Sequence, residues 1–359
     1  MSIITLPAEL SMAVSSSTST KNQLHIGVLL GDPNLPCSYT VEGDLGEEWV
    51  RSVKHLKEIL PELPDYRFTY FDNHERLIEE LRDNRPDLML NLCDMGYRNN
   101  WEMERNVPAL LELLDIPYTG ADPASMTLSA DKALVSLAAM RMGIAVPNEN
   151  FVDLTASPLL LPATYPAMIK PNASGGSFGM IEDCVVHDDV AAEAYLRWLA
   201  GQLDRPEAVI QDFLTGREFT VGLIGNPAEG FTVLPPMEVD FSGLDPDLVP
   251  IQSYGWKADP ESRYIDQMRL LQADIDEVTY SHLVDASARL FKRLGLRDYC
   301  RIDFRCGDDG VPRVLDVNTN PSWYFDSKLA TMAEWAGYSY ARMLGLIIEA
   351  AAVRNGLNR

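Results

Sequence analysis

The sequence predicts an α/β protein whose C-terminal part is α+β, and three stretches carry that prediction. Residues 24–92 switch between short apolar runs and helical spacing in the order strand, helix, strand, helix, strand. That order calls for a parallel sheet with helices on its faces. Residues 300–321 place two alternating polar and apolar runs around a turn of Gly307, Asp308, Asp309 and Gly310, the pattern of an antiparallel hairpin. Between these regions, residues 171–180 form a loop with three glycines and two serines, set between two strands.

Taken in order, residues 1–23 are rich in Ser and Thr, lack the charged and apolar regions of a signal peptide, and read as a disordered tail. Leu24 to Leu30 is a buried strand that ends at Gly31, Asp32 and Pro33. Trp49, Val53, Leu56 and Leu60 recur at helical spacing until Pro61 and Pro64 stop the helix. Tyr66 to Phe71 is a second strand, His74 to Asp83 a helix and Asp87 to Leu92 a third strand. Functional groups in such sheets gather at the carboxyl ends of strands. Asn91, Asp94, Glu102 and Glu104 are therefore candidate polar contacts. Val107 to Leu114 is a helix, Ile116 to Gly120 a strand and turn, and Gly120 closes a first domain of residues 24–120. One helix then runs from Asp122 and Pro123 to Gly143, with Lys132 near its middle.

Tyr165 to Lys170 is a strand feeding the glycine-rich loop. The N–H groups of such a loop can close over phosphates, with Lys170 as a point charge on them. It is not a Walker loop, because the lysine precedes the glycines and no helix follows. After a helix over Val190 to Leu199, Ala208 to Leu214 and Arg217 to Ile224 read as a hairpin. An adenine could lie at its join, with Glu218 turned to a ribose. These features divide the remainder into residues 121–207 and 208–359. Phe241 to Gln272 is irregular, holds Lys257, and reads as a lid or binding loop. Leu283, Ala286, Leu290 and Leu294 mark a helix before the 300–321 hairpin, and Leu344, Ile347, Ile348 and Ala351 mark a terminal helix.

Period two puts Arg301, Asp303 and Arg305 on one face of the hairpin, and Asp316, Asn318 and Asn320 on one face of the returning strand. If the faces coincide, three hard oxygen ligands (Asp303, Asp316 and Asn318) converge beside the cation of Arg301. Such a set suits Mg²⁺, which completes its octahedron with substrate phosphates. The plain alternative is a solvated hairpin face.

Composition narrows the function. The net charge of -23 speaks against nucleic acid as a partner. No apolar run approaches a membrane span. The five cysteines (Cys37, Cys93, Cys184, Cys300 and Cys306) are odd in number and include no CxxC pair, which argues for a reducing, cytoplasmic setting rather than a disulfide or zinc framework.

Five pieces in order resemble the ATP-grasp fold and, within it, the D-alanine–D-alanine ligase family. They are Ile116 to Gly120 with Asp131 and Lys132; Ile169 to Pro171 with Gly175 to Met180; Gly216 to Val221; Arg301 to Asp303; and Asp316 to Pro321. The match runs from about Leu24 to Ala351. The resemblance implies an N-terminal α/β substrate domain and two α+β subdomains that clamp ATP. Lys132 and Lys170 would hold phosphates under a loop containing Ser174, Gly175, Gly176 and Ser177. Gln211, Asp212, Leu214 and Glu218 would line the adenosine site, the backbone of Asp212 and Leu214 meeting adenine. Asp303, Asp316 and Asn318 would hold two Mg²⁺ ions, or Mn²⁺ in their place. Arg301, Lys257 and Ser177 form the implied catalytic set, with Arg301 stabilising charge at the reacting carboxylate. The implied reaction joins a carboxylate to an amine through an acyl phosphate, and the resemblance suggests a homodimer.

Departures from the family concern the substrate. Asp316 stands where the family usually has Glu, Gln211 where it has an acidic residue, and Gly176 where it has a serine. The family's His-Gly and Gly-Glu-Asp-Gly segment is replaced by Asn91 to Glu102. Glu42 and Glu47 are candidates for the glutamate that binds the substrate ammonium. Trp323, Tyr324 and Phe325 replace small residues near the acceptor site, and Lys328 falls about where a serine meets the acceptor carboxylate. Asp94, Glu102, Asn320, Ser322, Trp323, Lys328 and Glu42 thus form the expected substrate set. The expectation is a ligase for substrates other than two D-alanines. D-alanine–D-alanine ligation and an ATP-binding regulatory protein are the alternatives.

Overall fold

The computed structural model describes residues 23–37, 40, 43–173, 179–253, 262–264 and 266–357. The tail expected over residues 1–23 lies almost wholly outside them. The first sheet has the order β2-β1-β3, with β1 (Leu24–Leu29), β2 (Tyr66–Phe71) and β3 (Leu88–Asn91) all parallel. Alternation divides its side chains between two cores. Ile26, Val28, Leu88 and Leu90 pack against Trp49, Val53 and Leu56 of helix α1 (Gly46–Ile59), while Leu29 and Met89 pack against Leu77, Leu81, Val107 and Leu111. The latter come from α2 (Leu77–Asp83) and α3 (Asn106–Leu113). Gly27 lets Met89 and Phe71 cross the central strand, since a Cβ there would lie 2.8 Å from the Met89 sulfur. Residues 116–120 contribute only a parallel bridge between Met89 and Tyr118 rather than a full strand.

The single helix expected around Lys132 is two helices, α4 (Pro123–Ala130) and α5 (Lys132–Arg141). Asp131 divides them in extended conformation and accepts the N–H of Leu134 at 3.0 Å, as N-caps do. Lys132 is therefore the first helical residue and not a mid-helix one. The second sheet is antiparallel, in the order β4-β7-β5-β6, with β4 (Glu149–Asp153), β5 (Ala167–Pro171), β6 (Val185–Val186) and β7 (Glu207–Asp212). Helix α6 (Asp189–Ala200) packs on it through Tyr195, Leu196 and Leu199.

The third sheet joins six strands. Its path is β11-β10-β8-β12-β13, and β9 pairs with β8 off that path. These are β8 (Glu218–Asn226), β9 (Gly230–Val233), β10 (Met237–Asp240), β11 (Arg269–Gln272), β12 (Tyr299–Cys306) and β13 (Pro312–Asn318). The hairpin expected between residues 208–214 and 217–224 does not form. Glu207–Asp212 pairs on both sides within the second sheet, whereas β8 lies between β12 and β10 in the third. Backbone pairing to other strands satisfies both, so the join is a crossing from one sheet to the next. Helix α7 (Glu277–Leu294) covers the third sheet, capped by Asp276 and ended by left-handed Gly295. Helices α8 (Lys328–Trp335) and α9 (Tyr340–Arg354) return to the first domain, where Leu344, Ile347 and Ile348 join the core that holds Ile26 and Val28. Among the described residues no helix is long and apolar enough to cross a membrane.

Candidate active site

Strands β12 and β13 pair as the alternation requires. Arg301 lies opposite Asn318 and Asp303 opposite Asp316, followed by a register shift after Asp303. The two faces coincide. Asp303 accepts Arg301 Nε at 3.2 Å and Thr220 Oγ1 at 2.8 Å on one oxygen, and Arg301 Nη2 at 3.1 Å and Asn318 Nδ2 at 3.0 Å on the other. Burial works against its charge, but Arg301, Lys328 and these hydrogen bonds hold the carboxyl well below the usual carboxylate range. Asp316 points to the same space and meets Lys132 Nζ at 3.4 Å.

Helix α5 and strand β5 bring the two lysines together. Asn172, just past β5, accepts the N–H of Lys132 at 3.1 Å and, through its side chain, that of Ala133 at 3.1 Å. The start of α5 is thereby fixed to the strand that carries Lys170. Both lysines are buried. Burial lowers the pKa of Lys170, opposed by the charge of Asp316 and reinforced by that of Lys132.

A cleft of about 660 Å³ between the second and third sheets is lined by Lys170, Gln211, Asp212, Leu214, Glu218, Arg301, Asp303, Asp316 and Lys328. At one end Glu218 is held by Gln252 Nε2 and by Arg305 Nη1, the latter at 3.3 Å. Gln211 donates to Glu149 Oε2 at 2.6 Å. Arg305 had no expected role, yet it is buried, stacks on Phe213 and Phe241, and reaches the Pro250 carbonyl at 2.6 Å. The alternation from Arg301 through Asp303 was the signal that pointed to it.

A smaller cavity of about 190 Å³ lies on the N-terminal side, lined by Asn91, Leu92, Cys93, Asp94, Tyr299, Asn320, Pro321 and Trp323. Burial pushes the Asp94 carboxyl up to about 6. Burial, with the charge of Asp94 added, pushes Glu104 up to about 8. Glu102 does not line this cavity; its N–H donates to Asn100 in a short 3₁₀ turn, and that turn brings Glu104 toward Asp94 instead. Gly120 has φ +88, and a Cβ there would strike Asn320 Oδ1 at 2.5 Å, so the approach of Asn320 requires glycine.

The aromatic run after Pro321 divides. Trp323 is buried at the cavity, Tyr324 packs on it with centroids 4.9 Å apart, and Phe325 turns away to His55 and Arg51 on α1. Only Trp323 of the three lines either cavity described above. Ser322 lines neither. Lys328 lines the large cleft; burial lowers its pKa, and the charge of Asp303 works against that shift. Glu47 lies exposed in the first turn of α1. Glu42, Ser174, Gly175, Gly176, Ser177 and Lys257 lie outside the described residues.

Among the described residues no three His, Cys, Asp or Glu side chains cluster as a cation site. The set is two carboxylates and one amide. By type it fits Mg²⁺, which leans on substrate oxygens. Both Asp303 oxygens already accept protein donors, so Asp316 is the more open carboxylate, and a turned Asn318 amide would present its oxygen.

The family model described as D-ala D-ala ligase C-terminus matches residues 153–349, more than half of the chain. A D-alanine–D-alanine ligase of Bordetella petrii is 27% identical over 288 residues, covering 79% of this chain and 82% of its own. The D-alanine–D-alanine ligase of Bacillus anthracis complexed with ATP superposes with a TM-score of 0.67 at 21% identity, covering 93% of this chain and 100% of its own. The VanG D-Ala:D-Ser ligase of Enterococcus faecalis superposes with a TM-score of 0.66 at 19% identity, covering 92% and 99%.

Proposed function

The chain belongs to the D-alanine–D-alanine ligase family of ATP-grasp enzymes, and from that premise we propose that it joins an amino acid or other carboxylate to an amine-bearing acceptor. It is an ATP-dependent carbon–nitrogen ligase. The observation that carries the reading is the convergence of Lys132, Lys170, Glu218, Arg301, Asp303, Asp316 and Asn318 around one cleft from helix α5 and strands β5, β8, β12 and β13. A regulatory protein that only binds nucleotide has no need for a carboxylate pair and an arginine opposite its phosphate lysines.

Lys132 and Lys170 would bind the ATP phosphates as point charges, with Glu218 on the ribose. Asp316, Asn318 and Asp303 would hold Mg²⁺, which supplies charge neutralisation on the transferring phosphoryl group. The substrate carboxylate attacks the γ-phosphorus, ADP leaves, and an acyl phosphate forms. The acceptor amine then adds to the acyl carbon and expels inorganic phosphate, losing one proton. Arg301, fixed in the β12 ladder, would face the oxygen on which charge develops, so its contribution is preorganised. Positioning supplies most of the remaining acceleration.

Lys328 supports an acceptor that bears a carboxylate, since it is a cation lining the cleft with Arg301 and close enough to Asp303 to lower its pKa. The replaced segments Asn91–Glu102 and Ser322–Lys328 support substrates other than two D-alanines. The mechanism is tested by labelling the carboxylate substrate with ¹⁸O: one label appears in the released phosphate if an acyl phosphate forms. Phosphate without label would refute that route.

A further inference from the structure

Arg305 stands directly opposite Glu218 in the pairing of β12 with β8, and both side chains line the cleft. They are almost wholly buried, at 4% and 5% exposure. The guanidinium lies over the rings of Phe213 and Phe241, 5.4 and 4.9 Å from their centroids. Its Nη1 donates to Glu218 Oε2 at 3.3 Å and to the Pro250 carbonyl at 2.6 Å, so both protons of that nitrogen are committed. Its Nε is buried without a hydrogen-bond partner. A donor left unmet in the interior destabilises a fold, and apolar side chains of similar volume commonly serve a core as well as a buried ion pair does. Stability alone therefore does not account for an arginine at this position.

Gln252 holds the other side of the same carboxylate, its Nε2 donating to Glu218 Oε1. A carboxylate offers about two acceptor positions on each oxygen. Arg305 fills one on Oε2 and Gln252 one on Oε1, so among the described residues each oxygen keeps one for a ligand. Two neighbouring acceptors on a fixed carboxylate match two neighbouring hydroxyls, each with one proton to give. A phosphate oxygen that carries no proton gains nothing there.

We propose that Arg305 is a positioning residue for the nucleotide: with Gln252 it sets the Glu218 carboxylate so that its two oxygens accept the vicinal hydroxyls of the ribose. The inference rests on the ligase reading and deepens it, because that reading puts ribose at Glu218 and gives Arg305 no part. Arg305 acts through Glu218 and touches no reacting atom. Phe241, Pro250 and Gln252 come from one segment and fix the pair from outside the strands, so the carboxylate is oriented before nucleotide arrives and binding need not order it.

Calorimetric titration of the full-length protein with the Mg²⁺ complexes of ATP, 2′-deoxy-ATP, 3′-deoxy-ATP and inorganic tripolyphosphate tests this. The parent protein should bind ATP about ten-fold or more tightly than either deoxynucleotide, the worth of one hydrogen bond to a charged group. Arg305→Met should weaken ATP by about ten-fold or more and bring the three nucleotides within about three-fold of one another. Tripolyphosphate, which has no ribose, should bind that variant within about two-fold of the parent protein. Gln252→Leu removes the other donor, should shrink the preference for ATP by about three-fold or more, and decides the matter where Arg305→Met does not fold. An unchanged preference for ATP in Arg305→Met, or in Gln252→Leu where the former does not fold, would overturn the proposal. So would an equal loss of tripolyphosphate and ATP, which marks a merely structural role. A parent protein that binds ATP and both deoxynucleotides alike would overturn it and leave the ligase reading standing. A parent protein that binds no nucleotide would overturn both.

Discussion

Lys132 Nζ lies 3.4 Å from Asp316 Oδ1, so a cation expected on phosphate and a carboxylate expected on metal face each other across the cleft. Each holds a charge in place for a partner of opposite sign that Mg·ATP brings. Lys132→Met should weaken ATP binding about ten- to a hundred-fold, the range of one charge-assisted hydrogen bond. Asp316→Asn should leave ATP binding without metal largely intact and weaken the Mg²⁺ dependence. Titration calorimetry with ATP, with and without Mg²⁺, separates the two effects.

The β12 and β13 carboxylates differ in the donors around them. Asp303 accepts four hydrogen bonds, and Asp303→Asn would place an amide N–H against the Arg301 fork. Turnover should fall at least a hundred-fold, about 3 kcal/mol, the size of losing a preorganised electrostatic group. Steady-state ADP release measures it.

Lys328→Ala should raise the KM for an acceptor that carries a carboxylate by about ten-fold and leave the KM for ATP within about two-fold, one charge-assisted contact being at stake. Equal effects on both would make Lys328 a nucleotide ligand.

Glu104 gives a pH dependence whose sign is fixed by its raised pKa. Between its ordinary value of 4.5 and about 8, the folded chain keeps a proton that the unfolded chain has released. Stability therefore falls as pH rises through that window. Glu104→Gln removes the effect, so the Tm of the variant should gain on that of the parent protein from pH 5 to pH 8. Thermal melts at four pH values follow it.

Asp298 ties the domains together. It is fully buried, accepts Gly120 N at 2.9 Å and Asn226 Nδ2 at 3.0 Å, and takes both Nε and Nη2 of Arg354 at 2.9 and 2.7 Å. Asp298→Ala would take the acceptor from the Gly120 N–H and the carboxylate from the Arg354 fork, and should cost about 3 kcal/mol or more in a denaturant melt.

Period-two alternation was enough to place Asp303 opposite Asp316 and Asn318 beside them, because a strand leaves only two faces. The helices of the first domain were equally legible from Trp49, Val53 and Leu56. Local pattern failed where the answer lay in distant pairing. Residues 207–212 and 218–226 are sequence neighbours with a turn between, yet each finds its partners in a different sheet. Asp131 was readable as an N-cap but was hidden inside a long helical pattern. Glu104 was legible only as a polar loop residue, since its approach to Asp94 depends on a 3₁₀ turn that periodicity does not show.

The most direct test of the central claim is ADP release with Mg·ATP over a grid of D- and L-amino acids and amines, with products identified by mass. The account predicts release that requires both a carboxylate and an amine, a product whose mass is their sum less one water, and a pair other than two D-alanines. Full activity with D-alanine alone would contradict the substrate reading. ATP binding without release across the whole grid would contradict the ligase itself.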